Sequence, residues 1–296
     1  MNNFDDLLNY TPETTDPVNN ESTLSKEEWA EKKQVERDAV FEMADKTAMK
    51  VASDGVGFTQ YLDTQATFIR YSAVNVLLIM AKKPEATRLG DFDYWKNKKG
   101  FVKKNENAIS ILEPGKEYER KDGSGIGVSF NVKKVFDISQ IDDRKLKFQS
   151  TANYEQRQVL AALVETSPVT IVGVENLPVN VGAMKFDDRI DVRKGMGFDD
   201  TFSSLTRELM LFNLEKQGVP LEKAEFTAYC ASYVLCKKYG ADTKDFDFSN
   251  ASEMFTGLKE QDIKQELSAI RDSANDISMK VSKVIEQSKT AKEQER

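Results

Sequence analysis

The stretch Ser204-Leu205-Thr206-Arg207-Glu208-Leu209-Met210-Leu211 decides how the second half of this chain is read. It reads as a helix, and its outline is the metal-binding pattern L-x-H-E-x-x-H. In that pattern two histidines at i and i+4 share a helical face and hold zinc, with the glutamate between them as general base. Here Arg207 and Leu211 stand at the histidine positions. A guanidinium has no lone pair to lend, and an isobutyl group has no donor atom. No histidine occurs anywhere in the 296 residues, so none can be recruited from elsewhere. Glu208 alone remains. The expectation is a helix without zinc chemistry, no cofactor and no enzyme activity.

Outward from this helix, Asp199 or Asp200 is the expected N-cap and Gly218 the expected stop. Pro220 then starts a helix ending at Gly240. On it Leu221, Ala228, Ser232 and Leu235 share one face, with Glu225 in the middle. A carboxylate in an apolar stripe costs several kcal/mol unless it is paired, hydrogen-bonded or metal-bound. Glu208 likewise lies beside Leu205, Leu211 and Phe212. Pairing with Arg207 or Arg189 and exposure at the edge of the face are the ordinary explanations. A carboxylate site for Mg²⁺ or Mn²⁺ is the other. Cys230 and Cys236 fall on the same helix about 9 Å apart along its axis, beyond disulfide reach, and read as packing thiols.

Upstream, a helix is expected from about Tyr154 to Glu165, a strand from Val169 to Val174, and a hairpin through Ala183 to Val192 turning at Asp187-Asp188. Downstream, Leu267, Ile270, Ala274, Ile277, Val281 and Val284 recur at spacings of three and four, an amphipathic stripe. It packs on its own chain or forms a dimeric coiled coil. In the first half, Ser25-Lys26-Glu27-Glu28 reads as a capping box opening a helix to about Ala52. After the Asp54-Gly55 turn, Phe58, Leu62, Ala66 and Ile69 give a second helix. Ser72 caps a short third one, Val74 to Met80. Two β-like runs, Ala108 to Leu112 and Val128 to Val132, flank a Gly-rich turn.

Between them, Ala81 to Lys104 concentrates positive charge. Its eight cations and three anions leave +5 in a chain of net charge −7. Phe92, Tyr94, Trp95 and Phe101 are interleaved with them. Cations that track phosphates beside aromatic faces that stack on unpaired bases are the composition of a single-strand binder. A solvated basic loop with Trp95 and Phe101 in the core is the structural alternative. The overall negative charge disfavours indiscriminate nucleic-acid binding. No basic n-region opens the chain, and the longest apolar run is far short of the roughly 20 residues a membrane span needs. A cytoplasmic protein without membrane partners is expected. Without histidine no side chain has an unperturbed pKa between about pH 5 and 8.

Phe68-Ile69-Arg70-Tyr71-Ser72-Ala73-Val74-Asn75, then Lys83-Pro84-Glu85-Ala86-Thr87, Tyr94-Trp95-Lys96, Phe101 to Pro114 and Val135-Phe136-Asp137-Ile138-Ser139-Gln140 form a specific series. It closely resembles the N-terminal domain of ArdC-type anti-restriction proteins, whose pattern has Y-S-x-x-N, P-x-A-T, V-K-K-G-E-x-x-I-x-I-L-x-P and V-F-D-x-S-Q. Asn105 replaces a glycine of that pattern, a mild departure because Asn also tolerates left-handed geometry. The second half resembles the zincin-like domain of LtrC-like or ImmA/IrrE-like mobile-element proteins, with Arg207 to Leu211 at H-E-x-x-H and Ala224-Glu225 where a third ligand is expected.

The resemblance implies single-stranded-DNA binding by a mobile-element or phage protein that protects or accompanies transferred DNA. It also makes Glu208 and Glu225 vestiges of a peptidase site. The expected fold is α+β: a disordered acidic tail over 1–24, a helix-plus-antiparallel-sheet domain over 25–145, and a mostly helical zincin-like domain with a small sheet over 150–290. Ile141 to Gln149 is the linker candidate. Arg88, Lys96, Lys98, Lys99, Lys103 and Lys104 are the expected DNA contacts, with Trp95 and Phe101 stacking on bases. Capture of a host defence protein by the inactive cleft is the rival reading, and a surviving carboxylate-metal hydrolase the third.

Overall fold

The computed structural model describes residues 25–119, 125–142 and 155–294; the expected acidic tail lies outside them. Helix α1 (Lys26–Ser53) opens with the anticipated box: Ser25 Oγ accepts from Glu28 N–H and Glu28 returns to Ser25 N–H. Its buried residues, Val40, Ala44, Ala48 and Val51, keep to one face. Asp54 caps α2 (Gly55–Thr67) by accepting from Gly57 N–H at 2.7 Å. A methyl on Gly55 would stand 2.2 Å from the Phe248 carbonyl, so only glycine lets α2 begin this close to that loop.

Ser72 caps α3 (Ala73–Lys82), which is apolar nearly all round and buried accordingly. Its one buried polar side chain, Asn75, exchanges two bonds with Leu112 of the sheet, Nδ2 to the carbonyl at 2.9 Å and Oδ1 from the N–H at 2.7 Å. This amide pair satisfies both groups and fixes α3 against the strand.

Strands β1 (Leu89–Gly90), β3 (Ile109–Glu119) and β4 (Ile126–Asp137) form an antiparallel sheet in the order β1-β4-β3. The register of β3 against β4 shifts between Pro114 and Glu117. Short helix α4 (Phe92–Asn97) follows β1, and β2 (Phe101–Val102) pairs antiparallel with β5 (Ile141–Asp142). That pairing corrects the linker expectation: Ile141 is buried and forms a strand with Asp142, while residues 143–149 lie outside the described ones.

Helix α5 (Gln156–Glu165) leads to β6 (Thr170–Val174), β7 (Ala183–Lys185) and β8 (Arg189–Arg193), in the order β6-β8-β7. The β7–β8 hairpin turns at Asp187-Asp188 as expected, and β6 runs parallel to β8. Helices α6 (Phe198–Lys216), α7 (Leu221–Tyr239) and α8 (Glu260–Gln294) complete the fold. The α6 cap corrects the sequence reading. Gly197 is the N-cap, and Asp199 and Asp200 lie in the first turn, where carboxylates complement the positive end of the helix. Gly218 and Gly240 take positive φ after α6 and α7.

Leu267, Ile270, Ala274, Ile277 and Val281 of α8 are buried, and the helix packs on α1, α3, α5 and α7. The amphipathic stripe is therefore consumed within the chain. One buried cluster runs through both halves, from Ala48 to Ile285. Phe58 of α2 sits at its centre against Phe226, Phe248 and Phe255, with ring centroids 5.4–5.7 Å apart. Asp63 of α2 also accepts from the Tyr233 hydroxyl of α7 and pairs with Lys237. No helix among the described residues is long and apolar enough to cross a membrane.

Candidate nucleic-acid interface and cleft

The basic segment is shaped by Asp137, at the end of β4. This carboxylate is 1 % exposed and accepts from three backbone donors: Thr87 N–H at 2.7 Å, Arg88 N–H at 2.9 Å and Ser139 N–H at 2.9 Å. Burial pushes its pKa up, but these donors outweigh burial and hold it below the ordinary value. Gln140 continues the network. Its Oε1 accepts from Asp137 N–H, and its amide nitrogen donates to Glu106 and the Asn107 carbonyl. The D-x-S-Q spacing thus joins the approach to β1, the end of β4 and the 103–107 loop. Asn105 adopts φ 64°, the left-handed geometry expected of it.

On this frame Asp91 caps α4 and pairs with Lys133, while Glu85 pairs with Lys83. Two of the three acids of the segment are thereby neutralised. Lys96, Lys98, Lys99 and Lys104 are exposed and make no ion pair with a described residue. Lys103 is exposed too, its ammonium donating to the Ser139 carbonyl at 2.9 Å. Arg88 is half-buried beside the Asp137 network. The cations therefore outline one positive surface around α4 and β2.

Trp95 does not belong to that surface, which corrects its assignment as a stacking residue. Its ring is 0 % exposed and its indole N–H donates to the Phe136 carbonyl at 3.0 Å. A base reaches this ring only if the packing opens. Phe101 is 59 % exposed and remains available, and Phe92 at 57 % and Tyr94 at 38 % offer aromatic surface beyond the two rings expected to stack. Phe92 and Trp95 stand three residues apart on one side of α4, so spacing does not say which ring is buried; the indole's bond to the Phe136 carbonyl does.

The second site is a cleft of about 550 Å³ between β7, α6 and α7, and it brings Glu208 and Glu225 to the same walls. Glu208 is half-buried and accepts from Lys185 N–H at 3.1 Å. At the two ends of β7, Gly182 and Phe186 turn their backbone groups to β8 and its turn, so alternation points the Lys185 N–H outward from the sheet edge. Glu208 covers that edge donor. Burial raises its pKa above the ordinary carboxylate value, and the Lys185 N–H and the Arg207 and Lys185 charges pull against the rise.

The anticipated pairings of Glu208 are not those observed. Arg189 bonds Asp191, and the Arg207 guanidinium lies over the Tyr229 ring at 5.6 Å. Glu225 is exposed rather than set in an apolar stripe, because α7 buries Ala224, Thr227, Ala228 and Ala231 instead. These donors do not fit zinc. Arg207 and Leu211 supply no lone pair, one Glu208 oxygen is already engaged, and no group of three or more Cys, Asp or Glu side chains among the described residues is placed to hold a metal ion. Both cysteines are free and buried; burial raises both thiols, Cys236 to about 12.

The family model for the N-terminal domain of anti-restriction factor ArdC matches residues 30–160, from α1 into α5. Among solved structures, the metal-free crystal structure of antirestriction ArdC protein from the R388 plasmid aligns at 18 % identity. That alignment covers 73 % of this chain and 84 % of the other, with a TM-score of 0.46. The Mn(II)-bound structure of that protein aligns at 18 % identity over 72 % of this chain and 84 % of the other, with a TM-score of 0.49. No curated protein matches.

Proposed function

We propose that this chain, whose residues 30–160 match the family model for the N-terminal domain of anti-restriction factor ArdC, is an anti-restriction protein of a mobile element or phage that binds single-stranded DNA. The observation that carries the binding reading is the exposed surface around α4 and β2. There exposed Lys96, Lys98, Lys99, Lys103 and Lys104 flank the exposed ring of Phe101 along the chain. Such a surface neutralises phosphates and stacks on bases without reading sequence. A duplex hides its base faces, so single strands are preferred. The cleft of Glu208 performs no hydrolysis in this reading, because Arg207 and Leu211 stand where two imidazoles would hold the metal that activates a water.

The test is entry of single-stranded DNA by conjugation into a restricting and a non-restricting recipient, with and without this protein. Expression should raise recovery in the restricting recipient alone, and Lys103→Ala with Lys104→Ala should cancel that gain. Equal recovery in both recipients with and without the protein refutes the anti-restriction role.

The cleft between β7, α6 and α7 supports a second reading, in which it captures a segment of a host defence protein. Leu221 stands exposed at the wall of that cleft. In this reading Leu221→Arg abolishes co-purification of one host protein and leaves DNA binding intact.

A further inference from the structure

A shallow concavity of about 320 Å³ opens beside α4, with Tyr71, Tyr94, Gly90, Pro114, Glu113 and Lys133 in its walls. That volume lies at the small end of ligand-sized sites, roughly 300–1,000 Å³. Its two phenol rings are held from behind. Tyr94 meets Trp95 in a T-shaped contact at 5.0 Å, and Tyr71 meets Phe68 in another at 5.6 Å. The backbone makes room for one of them: a methyl on Gly90 would fall 2.1 Å from Tyr94 Cδ1, so only glycine lets that ring lie against β1.

Lys133 bonds Asp91 at 3.0 Å and Glu113 at 3.2 Å and offsets one of their two negative charges, so the floor suits a base and the phosphates belong on the cations around it. Four residues beyond Tyr94, on its side of the helix end, stands exposed Lys98; next to Tyr71 stands exposed Arg70. The turn carrying Arg70 and Tyr71 is fixed from beneath by Arg271 of α8, which donates to the Arg70 carbonyl at 2.7 Å and the Tyr71 carbonyl at 3.0 Å. Cations thus lie beside each ring, and the rings sit on anchored backbone. Aromatic faces between cation pairs are the arrangement that seats an unpaired base between two phosphates.

We infer that this concavity seats one unpaired base of a bound DNA strand against Tyr94 and Tyr71, with flanking phosphates on Lys98 and on Arg70. The inference rests on the single-stranded-DNA reading above and adds a base site to it. Its test compares full-length wild type and Tyr94→Ala on oligothymidylate of roughly twelve nucleotides, and on an abasic strand of equal length. Loss of one stacked base predicts about a tenfold weaker Kd for Tyr94→Ala on oligothymidylate. No change is expected on the abasic strand, and the salt dependence should be unaltered.

Equal weakening on both strands overturns the base site, since the ring would then act through fold or phosphates. No weakening on either also overturns it, and wild-type binding to oligothymidylate would leave the broader reading standing. Failure of wild type to bind either strand removes both together. Photo-crosslinking of wild type to a 5-iodouracil strand decides the matter if Tyr94→Ala unfolds. Adducts at Tyr71 or Tyr94 are expected, and adducts confined to other residues overturn the inference.

Discussion

Replacing Asp137 tests whether one buried carboxylate holds the basic surface in place. Asp137→Ala leaves the N–H groups of Thr87, Arg88 and Ser139 without their acceptor. A hydrogen bond to a charged group contributes about 1.5–3 kcal/mol. Thr87 and Ser139 are exposed, so water replaces part of what they lose; a total cost of about 3–4 kcal/mol follows from the low end of that range. Against a typical stability of about 5–15 kcal/mol this is a large fraction. Asp137→Asn keeps Oδ1, which serves both Thr87 and Arg88, but turns an NH₂ group toward Ser139 N–H. It should cost about 1–2 kcal/mol.

The pH dependence carries its own sign. The folded pKa of Asp137 lies below the ordinary 3.8, so its stabilisation is present above that value and fades as pH falls through it toward the folded pKa. Urea denaturation followed by tryptophan fluorescence measures this directly. Buried Trp95 bonds the residue before Asp137, whereas Trp29 on α1 is already half exposed. The difference between Asp137→Asn and wild type should shrink as pH drops below 3.8. A loss below about 1 kcal/mol for Asp137→Ala at neutral pH, or a difference that does not change with acid, would refute the reasoning.

For Glu208→Gln, the raised carboxylate pKa means that wild type loses stability as pH rises from the ordinary 4.5 through the folded value. Gln still accepts from Lys185 N–H, so the variant should melt at or above wild type at neutral pH and converge with it near pH 4; a lower melting temperature at neutral pH would show that the charge is stabilised. Trp95→Phe should cost about 1–3 kcal/mol through the lost bond to Phe136 and the smaller ring, with single-strand affinity of the folded protein unchanged. Weaker binding at an unchanged melting temperature would put the indole on DNA. Elemental analysis after chelator-free purification should find zinc far below one per chain, and a stoichiometric ion would overturn the description of the Glu208 cleft.

Local chemistry was legible and rotation about elements was not. The caps at Ser25 and Ser72 are decided within four residues, and the structure has both; Asp54, read as a turn, also caps α2. The hairpin at Asp187-Asp188 is equally local. Trp95 was misassigned because an aromatic among lysines reads the same whether it faces inward or outward. What turns it inward is the carbonyl of Phe136, 41 residues away. Glu225 was misplaced for a related reason: several faces of α7 carry small or apolar residues, and only the packing of α6 and α2 selects which is buried. Ile141-Asp142 is too short for any periodic signal. Glu208 and Glu225 line one cleft, but the Lys185 N–H that engages Glu208 comes from an edge strand that no helix pattern reveals.

The most direct measurement is a titration of single-stranded against double-stranded oligonucleotides of equal length across a series of salt concentrations. Five exposed lysines, Lys96, Lys98, Lys99, Lys103 and Lys104, at about −0.7 each give a slope of log K against log salt near −3.5 for the single strand. Removing Lys103 and Lys104 together should bring it to about −2. The expected result is tighter binding of the single strand with that slope and that reduction. Equal affinity for both forms, or a slope unmoved by the double substitution, would contradict the assignment of this surface to single-stranded DNA.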